Sequence, residues 1–147
     1  MTKKEIKPYV PEHLEMMELN ESTKIAVGIY GTDKFAKIIY GNGPAMTGFV
    51  DGKPVCIAGI TMMWNGVGEA WALMAEGFEK HKFFIHRNVV RFMNKEIIMN
   101  NIKRLQASAD INHSKAIVWL EHLGFETEGR MRKYFNGHDY WRFARVI

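Results

Sequence analysis

The sequence predicts an α/β (α+β) fold, with a mixed, largely antiparallel central sheet of about seven strands flanked by about four helices. Two observations carry this prediction. Short apolar runs are separated by Asp-Gly and Asn-Gly pairs, which favour hairpins between antiparallel strands. Two amphipathic segments each follow an apolar run. This order is typical of a strand followed by a crossover helix, which connects parallel strands.

The composition predicts one domain covering residues 1–147. Hydrophobic residues make up 47% and charged residues 24%, which is an ordinary globular balance. The formal charge of +4 permits an anionic partner without naming one. Cys56 is the single cysteine, so an intrachain disulfide and a thiolate metal site are excluded.

Neither a membrane span nor a secretory signal is expected. The chain has no run of about 18 apolar residues. The basic residues near its start are not followed by an apolar segment. We therefore expect a cytoplasmic protein.

The first third predicts one short strand and three helices. Residues 5–10 alternate weakly as a strand, and Pro11 suits the first turn of a helix over 12–19. Residues 21–40 form a helical region that Gly28 and Gly31 divide in two. Thr32 or Asp33 would cap the second of these helices. The Gly-Asn-Gly-Pro run at 41–44 ends it.

The middle predicts three antiparallel strands, over residues 45–50, 53–63 and 69–75. Asp51-Gly52 and Asn65-Gly66 connect them. Both pairs suit type I′ turns, which need positive φ at both central positions.

The stretch from Glu69 to Asn101 predicts a strand, a turn and a long helix, and it contains the first candidate ligand site. Its strand leads through a polar turn, residues 76–82, into a long helix with an apolar stripe of Ile85, Val89, Phe92, Met93 and Ile97. Free N–H groups at the start of a helix favour an anion, and Lys80, His81 and Lys82 lie in this turn. A phosphate-bearing ligand is one interpretation. The other is an architectural turn, because Gly77 is its single glycine.

The last third predicts a strand over 105–109, a helix over 113–123 that Gly124 ends, and a hairpin of 125–134 with 139–147 around Asn136-Gly137. Asp110 or Asn112 would cap the helix. The strands at Glu69 and Leu105 should be parallel neighbours, because a helix joins them.

Two other groups of residues have a structural interpretation that we prefer. The six histidines show no ligand spacing with a carboxylate cluster, so no metal site is predicted. The C-terminal hairpin carries basic and aromatic residues that suit nucleic acid or a partner protein. It contains no nucleic-acid-binding motif, and a solvated strand face is the expectation.

The stretch Asn112 to Phe125, with Glu128-Gly129 after it, resembles the GNAT superfamily of acyl-CoA-dependent N-acyltransferases. The family often has an asparagine, a helix ending in a Leu-Gly-Phe-like turn, and Glu-Gly in the next strand. The order of elements extends the resemblance over nearly the whole chain. The arrangement is also similar to GNAT-like proteins of tailed bacteriophages, some of which are internal virion proteins.

The resemblance implies transfer of an acyl group from acetyl-CoA, or another acyl-CoA, to a small-molecule or protein amine, and it allows a homodimer. Glu69 matches the position of a general base. The implied cofactor-binding residues are the backbone amides of Met74 or Ala75 for the thioester oxygen, the turn residues Lys80, His81 and Lys82 for the phosphates, and Asn112 for the cofactor arm.

Two differences from the family support a second interpretation. Residues 79–84 lack the glycines of the family's pyrophosphate loop. Leu120 stands where many members have a tyrosine that protonates the departing thiolate. The alternative is a catalytically inactive GNAT-fold binding or assembly protein, such as a phage internal virion protein.

Overall fold

The structure, a computed structural model, describes residues 2–28 and 31–147. The strands are β1 (Lys4–Pro8), β2 (Ala45–Val50), β3 (Lys53–Trp64), β4 (Val67–Met74), β5 (Arg104–Asp110), β6 (Glu126–Phe135) and β7 (His138–Val146). The helices are α1 (Pro11–Met16), α2 (Glu21–Gly28), α3 (Thr32–Tyr40), α4 (Lys82–Met99) and α5 (Ser114–His122). A 3-10 helix, Phe78–His81, precedes α4.

The strands form one seven-stranded sheet in the order β1-β2-β3-β4-β5-β7-β6. β4 and β5 are parallel, as predicted, while β1 with β2, β2 with β3, and β7 with both β5 and β6 are antiparallel. The mixed, largely antiparallel fold is therefore confirmed. The described residues hold five α-helices, and the expected count of about four took residues 21–40 as one helical region, which the structure divides into α2 and α3.

The chain divides into two compact units. The first comprises Met1–Thr61 and Trp71–Glu96, and the second comprises Met62–Ala70 and Ile97–Ile147. None of the helices in the described part of the chain is long and apolar enough to cross a membrane.

The core of the first unit collects apolar side chains from α1, α2, α3, β3 and the end of β4. Its buried members are Tyr9, Leu14, Met17, Val27, Ala36, Ile39, Ile57, Leu73 and Ala75. Tyr9 is buried because its hydroxyl donates to the carbonyl of Ala36 at 2.9 Å, which satisfies the polar end of the ring.

Buried and half-buried residues alternate along β5, so its polar side chains lie on one face of the strand. Leu105, Ala107 and Ala109 are buried, whereas the residues between them are half-buried on the opposite face. Cross-strand partners share a face, so Arg142 on β7 lies on the face of its partner Ser108. The polar face of this part of the sheet thus carries side chains from both strands.

Several turn and cap predictions were wrong in detail. Asp51 and Gly52 both have positive φ, as predicted, but at the second hairpin only Gly66 does, so that turn is not type I′. Gly31, and not Thr32 or Asp33, precedes α3 as its N-cap.

The N-cap of α5 is His113, which makes no side-chain cap hydrogen bond. Asp110 instead accepts the N–H of Asn112 at 2.9 Å, so neither residue predicted as the cap holds that position. Residues 29 and 30, in the predicted helical region 21–40, lie outside the described residues.

Gly59 gives a stability prediction, because a β-carbon there would lie 2.4 Å from Cζ2 of Trp71 and 2.9 Å from Cβ of Ala45. We expect Gly59→Ala to lower the free energy of unfolding by about 1–3 kcal/mol through overpacking. Gly28→Ala is the control, since nothing lies within 4 Å of that position and alanine favours helices. Denaturant titration checks both variants, and an unchanged midpoint for Gly59→Ala would contradict the close packing.

His13 predicts a pH dependence of stability. Its Nδ1 lies 2.8 Å from Oγ1 of Thr47 and accepts the N–H of Val10 at 3.3 Å. Burial, and secondarily Lys7, lowers the pKa of His13 below its ordinary value of 6.5. The unfolded chain therefore takes up this proton first as the pH falls, and the stabilisation present above pH 6.5 is lost on acidification through the folded pKa.

Melting temperatures between pH 5 and pH 8 check this prediction. His13→Gln should flatten the profile over the window below pH 6.5. Replacing His122, which is exposed on α5, should leave the slope of the parent protein. Equal slopes in the parent and His13→Gln would remove His13 as the cause.

Candidate functional site

Glu69 is the last residue of β4 that pairs with β5. Residues 67–69 of β4 pair in parallel with residues 104–106 of β5, which sets Glu69 opposite Gln106. Adjacent strands place such partners side by side. This register brings the carboxylate of Glu69 within reach of polar side chains on β5 and β7.

The carboxylate of Glu69 is held by two neighbours. Nη1 of Arg142 donates to Oε1 at 2.9 Å and to Oε2 at 3.0 Å, and Nε2 of Gln106 donates to Oε1 at 3.0 Å. The Glu69 and Arg142 side chains are only 23% and 21% exposed. A half-buried carboxylate requires such partners, because it has lost part of its hydration.

A carboxylate has about four lone-pair positions, two on each oxygen. Among the described contacts, Oε1 of Glu69 accepts two hydrogen bonds and Oε2 accepts one. Oε2 therefore retains one position, which can accept a proton or a hydrogen bond from water or an amine. Glu69 is therefore fixed in place and keeps one acceptor position that the described contacts do not use.

The same network continues across the sheet to β6. Oε1 of Gln106 accepts from Nε of Arg104 at 3.0 Å, which orients the amide so that its NH₂ group faces Glu69. Nη1 of Arg104 donates to Oε2 of Glu128 at 3.0 Å. The hydrogen bond from Arg104 holds the pKa of Glu128 below its ordinary value.

Asp110, the last residue of β5, forms a separate pair with His138. Nδ1 of His138 is 2.7 Å from Oδ2 of Asp110, whose other oxygen accepts the N–H of Asn112. The N–H of Asn112, and then His138, lower the pKa of Asp110. Asn112 is exposed, two residues beyond the end of β5, whereas Glu69 pairs near the start of that strand.

The backbone amides of Met74 and Ala75, predicted to face a thioester oxygen, already have acceptors. The N–H of Met74 donates to Oγ1 of Thr23 at 2.9 Å, and the N–H of Ala75 donates to the carbonyl of Val55 at 3.0 Å. The carbonyl of Met74 accepts the N–H of Asn20 at 3.1 Å. A ligand carbonyl could bind either amide only by replacing the present acceptor.

The turn between β4 and α4 is more structured than predicted. Gly77 adopts a left-handed conformation, and the 3-10 helix places the N–H of Lys80 on the carbonyl of Gly77. The N–H of Lys82 donates to the carbonyl of Glu79. These two N–H groups are therefore not free for an anion, contrary to the expectation of a strand leading directly into an α-helix.

The side chains of this turn fit a phosphate better than its backbone does. Lys80 and Lys82 are exposed and His81 is half-buried. Phe83 is 76% exposed, with Nζ of Lys82 lying 5.2 Å from its ring centroid. Phe84 packs near Gly48, so its ring belongs to the packing of the first unit.

The predicted residues thus fall into two groups. Met74, Ala75, Lys80, His81 and Lys82 lie in the first unit, and Glu69 and Asn112 lie in the second. Among the described residues, no group of three or more histidine, cysteine or acidic side chains could hold a metal ion.

Sequence analysis missed the partners Gln106, Arg142, His138 and Thr23. Gln106 could have been suspected, because it alternates with buried residues on β5. Arg142 could not, because its contact with Glu69 requires β7 to lie between β5 and β6.

The Glu69–Arg142 pair gives an energetic prediction. A double-mutant cycle of Glu69→Gln and Arg142→Met should show a coupling energy of about 0.5–3 kcal/mol, as for residues in one hydrogen-bond network. The more exposed pair Arg104–Glu128, at 31% and 41% exposure, is the matched control, and we expect a smaller coupling because solvent screens its charges. Denaturant unfolding measures both cycles, and equal couplings would exclude burial as the reason for the difference.

Comparison with known proteins identifies the fold. Neither the protein-family models nor the curated protein sequences match this sequence. A solved chimera of the Vibrio cholerae spermidine N-acetyltransferase SpeG and hSSAT is similar, with a TM-score of 0.78, 11% identity, and coverage of 98% of this chain and 95% of that chain. An acetyltransferase of the GNAT family from Streptococcus pneumoniae gives a TM-score of 0.72 and 13% identity, covering 99% of each chain.

A ribosomal-protein alanine acetyltransferase from Vibrio fischeri is similar over 97% of this chain and 92% of its own, with a TM-score of 0.70 and 14% identity. At such identities the likeness concerns the fold, and chemistry requires a separate argument. The chain has the fold of the GNAT N-acetyltransferases.

Proposed function

We propose that the protein is an acyl-CoA-dependent N-acyltransferase that transfers an acetyl group to an amine of a small molecule or a protein. The observation that carries the proposal is the fixed carboxylate of Glu69, with one free position on Oε2, in a fold shared with N-acetyltransferases. Acetyl-CoA, when bound, would supply an acyl group activated as a thioester. The amide C–N bond would form, the thioester C–S bond would break, and CoA would leave as a thiolate that takes its proton from water, because Leu120 cannot donate one. We place this activity in the cytoplasm, and for a phage-encoded protein in the bacterial host or the virion.

Glu69 would prepare the acceptor. An amine is mostly an ammonium ion at neutral pH and must lose a proton before it can act as a nucleophile. Oε2 of Glu69 would take this proton, directly or through one water molecule, while Arg142 and Gln106 keep the carboxylate in place.

Each residue predicted to bind the cofactor would have its own role. Lys80, His81 and Lys82 would neutralise phosphates through their side chains, since the N–H groups of both lysines are used in the turn. The amide of Met74 or Ala75 would polarise the thioester oxygen after exchanging its present acceptor. Asn112 would contact the cofactor arm.

One observation favours a second function, that of a GNAT-fold binding or assembly protein without catalysis. The backbone at Met74 is bonded on both its N–H and its carbonyl by residues of the same unit. Residues 79–84 also lack the glycines that allow a backbone to close on a pyrophosphate. Such a protein, for example a phage internal virion component, would associate with other proteins and leave acyl-CoA unbound.

A thermal-shift experiment separates the two functions. Acetyl-CoA at a hundred times its Kd should stabilise an acyltransferase by about 2.7 kcal/mol, because it binds only the folded state. For a chain of this size that raises the melting temperature by roughly 5–10 °C. No shift with acetyl-CoA or free CoA, together with copurifying proteins, would favour the assembly function.

Glu69→Gln tests the proposed base. The variant should lower turnover of an amine acceptor by about 10²–10⁴-fold, the usual contribution of a general base. The thermal shift with acetyl-CoA should remain. Glu128→Gln is the matched control, since that carboxylate belongs to the same network without contacting Glu69 in the described hydrogen bonds. Full turnover in Glu69→Gln would remove Glu69 from this role.

A further inference from the structure

The end of β4 is covered along one backbone edge by the residues that connect α1 to α2 and begin α2. The N–H of Glu76 donates to the carbonyl of Glu18 at 2.7 Å, and the N–H of Asn20 donates to the carbonyl of Met74 at 3.1 Å. Leu19 and Ala75 form an antiparallel bridge. Residues 18–23, which we call the strap, thus pair with residues 74–76 like a very short strand.

Thr23 completes this contact through its side chain. Its Oγ1 accepts the N–H of Met74 at 2.9 Å, and the residue is only 4% exposed. Its position is set by Asn20, whose Oδ1 accepts the N–H of Thr23 at 2.9 Å and whose carbonyl accepts the N–H of Lys24. Asn20 is therefore the N-cap of α2, and the cap and the Thr23 contact form together.

The strap occupies a type of backbone edge that binds extended ligands. An exposed strand edge offers alternating N–H and carbonyl groups to any partner that carries amides in an extended chain. At 74–76 this edge consists of the N–H and carbonyl of Met74 and the N–H of Glu76. The described contacts use all three, and the N–H of Met74 cannot donate fully to Thr23 and to a ligand carbonyl together.

We propose that the strap is an autoinhibitory element that competes with the amide-bearing arm of acyl-CoA for residues 74–76, so that the cofactor binds after the strap is released. This inference rests on the proposed function. The arm of acyl-CoA contains two amides and is long enough to lie along three residues. The observed affinity would equal the affinity of the released state multiplied by the fraction of molecules whose strap is released.

Releasing the strap breaks few hydrogen bonds with the edge: those from Glu76 to Glu18, from Asn20 to Met74 and from Met74 to Thr23. Water replaces much of the energy of each such bond when it opens. Leu19 adds packing against the core of the first unit, which favours the closed arrangement in the absence of ligand. The strap is thus a short segment held by a small number of identifiable contacts.

Calorimetric titration of the full chain with acetyl-CoA tests the proposal, using Thr23→Val against Thr23→Ser. Thr23→Val removes the hydroxyl that holds the N–H of Met74, whereas Thr23→Ser retains it. We expect Thr23→Val to bind acetyl-CoA about fivefold more tightly or better, the worth of one net hydrogen bond. Thr23→Ser should bind as the parent does.

Asn20→Ala serves as a second variant in case Thr23→Val does not fold, since it weakens the strap by removing the cap of α2 and leaves Thr23 unchanged. It should also bind acetyl-CoA more tightly. Asn20→Asp, which keeps a capping side chain, is its control and should retain the parent affinity.

Hydrogen exchange supplies a readout that is independent of turnover. Acetyl-CoA should speed exchange at the N–H of Asn20, which loses the carbonyl of Met74, while the N–H of Met74 stays protected by the ligand. Two results together would refute competition between the strap and acyl-CoA. The parent, Thr23→Val and Asn20→Ala would bind acetyl-CoA with equal affinity, and the N–H of Asn20 would stay protected in the complex. The proposed function would remain intact. No binding to the parent or to either variant overturns both.

Discussion

Backbone hydrogen bonding along β4 is the constraint on which the arrangement of the candidate site depends. A buried N–H or carbonyl that lacks a partner costs about as much as a lost hydrogen bond, so a central strand must be satisfied along its whole length. The first three residues of β4 obtain partners from β5, and the backbone at 74–76 obtains them from β3 and the strap. One strand therefore has two distinct settings, one around Glu69 and the other around Met74.

Charge pairing imposes a similar constraint within the second unit. Glu69 is half-buried, and its charge is compensated by Arg142 on β7 while Gln106 on β5 fixes its orientation. The neighbouring Arg104–Glu128 pair lies nearer to solvent and joins the network through Gln106. A carboxylate held in this way is preorganised, since a substrate amine would meet an acceptor atom whose position is already determined.

The two settings of β4 favour different functions. The fixed carboxylate with a free position on Oε2 suits acyl transfer. The bonded backbone at Met74 suits a protein that keeps that edge closed. An autoinhibitory strap reconciles them, because a closed edge in the free protein is compatible with cofactor binding when ligand contacts replace those of Thr23 and Asn20. Cofactor affinity would then depend on the free energy needed to release residues 18–23 from residues 74–76.

The sequence by itself determined the order of elements and most of the hairpins. Period-two alternation on β5 and glycine in a turn with positive φ, as at Gly52, are local signals that depend on neighbouring residues alone. Hence the seven-stranded mixed sheet and the parallel pairing of β4 with β5 were predicted correctly. Caps were less predictable, as Gly31 shows, because several nearby residues could satisfy the same helix end.

Only the tertiary structure decided the partners of the candidate residues. Glu69 and Arg142 are 73 positions apart, and Thr23 and Met74 are 51 apart. No local periodicity links residues at such separations. Their contacts follow from the strand order, which inserts β7 between β5 and β6, and from the path of the chain between α1 and α2. The family resemblance pointed to the carboxylate of Glu69 and to the amides of Met74 and Ala75. The fold determined that the carboxylate is bound by a guanidinium and that the amides are already hydrogen-bonded.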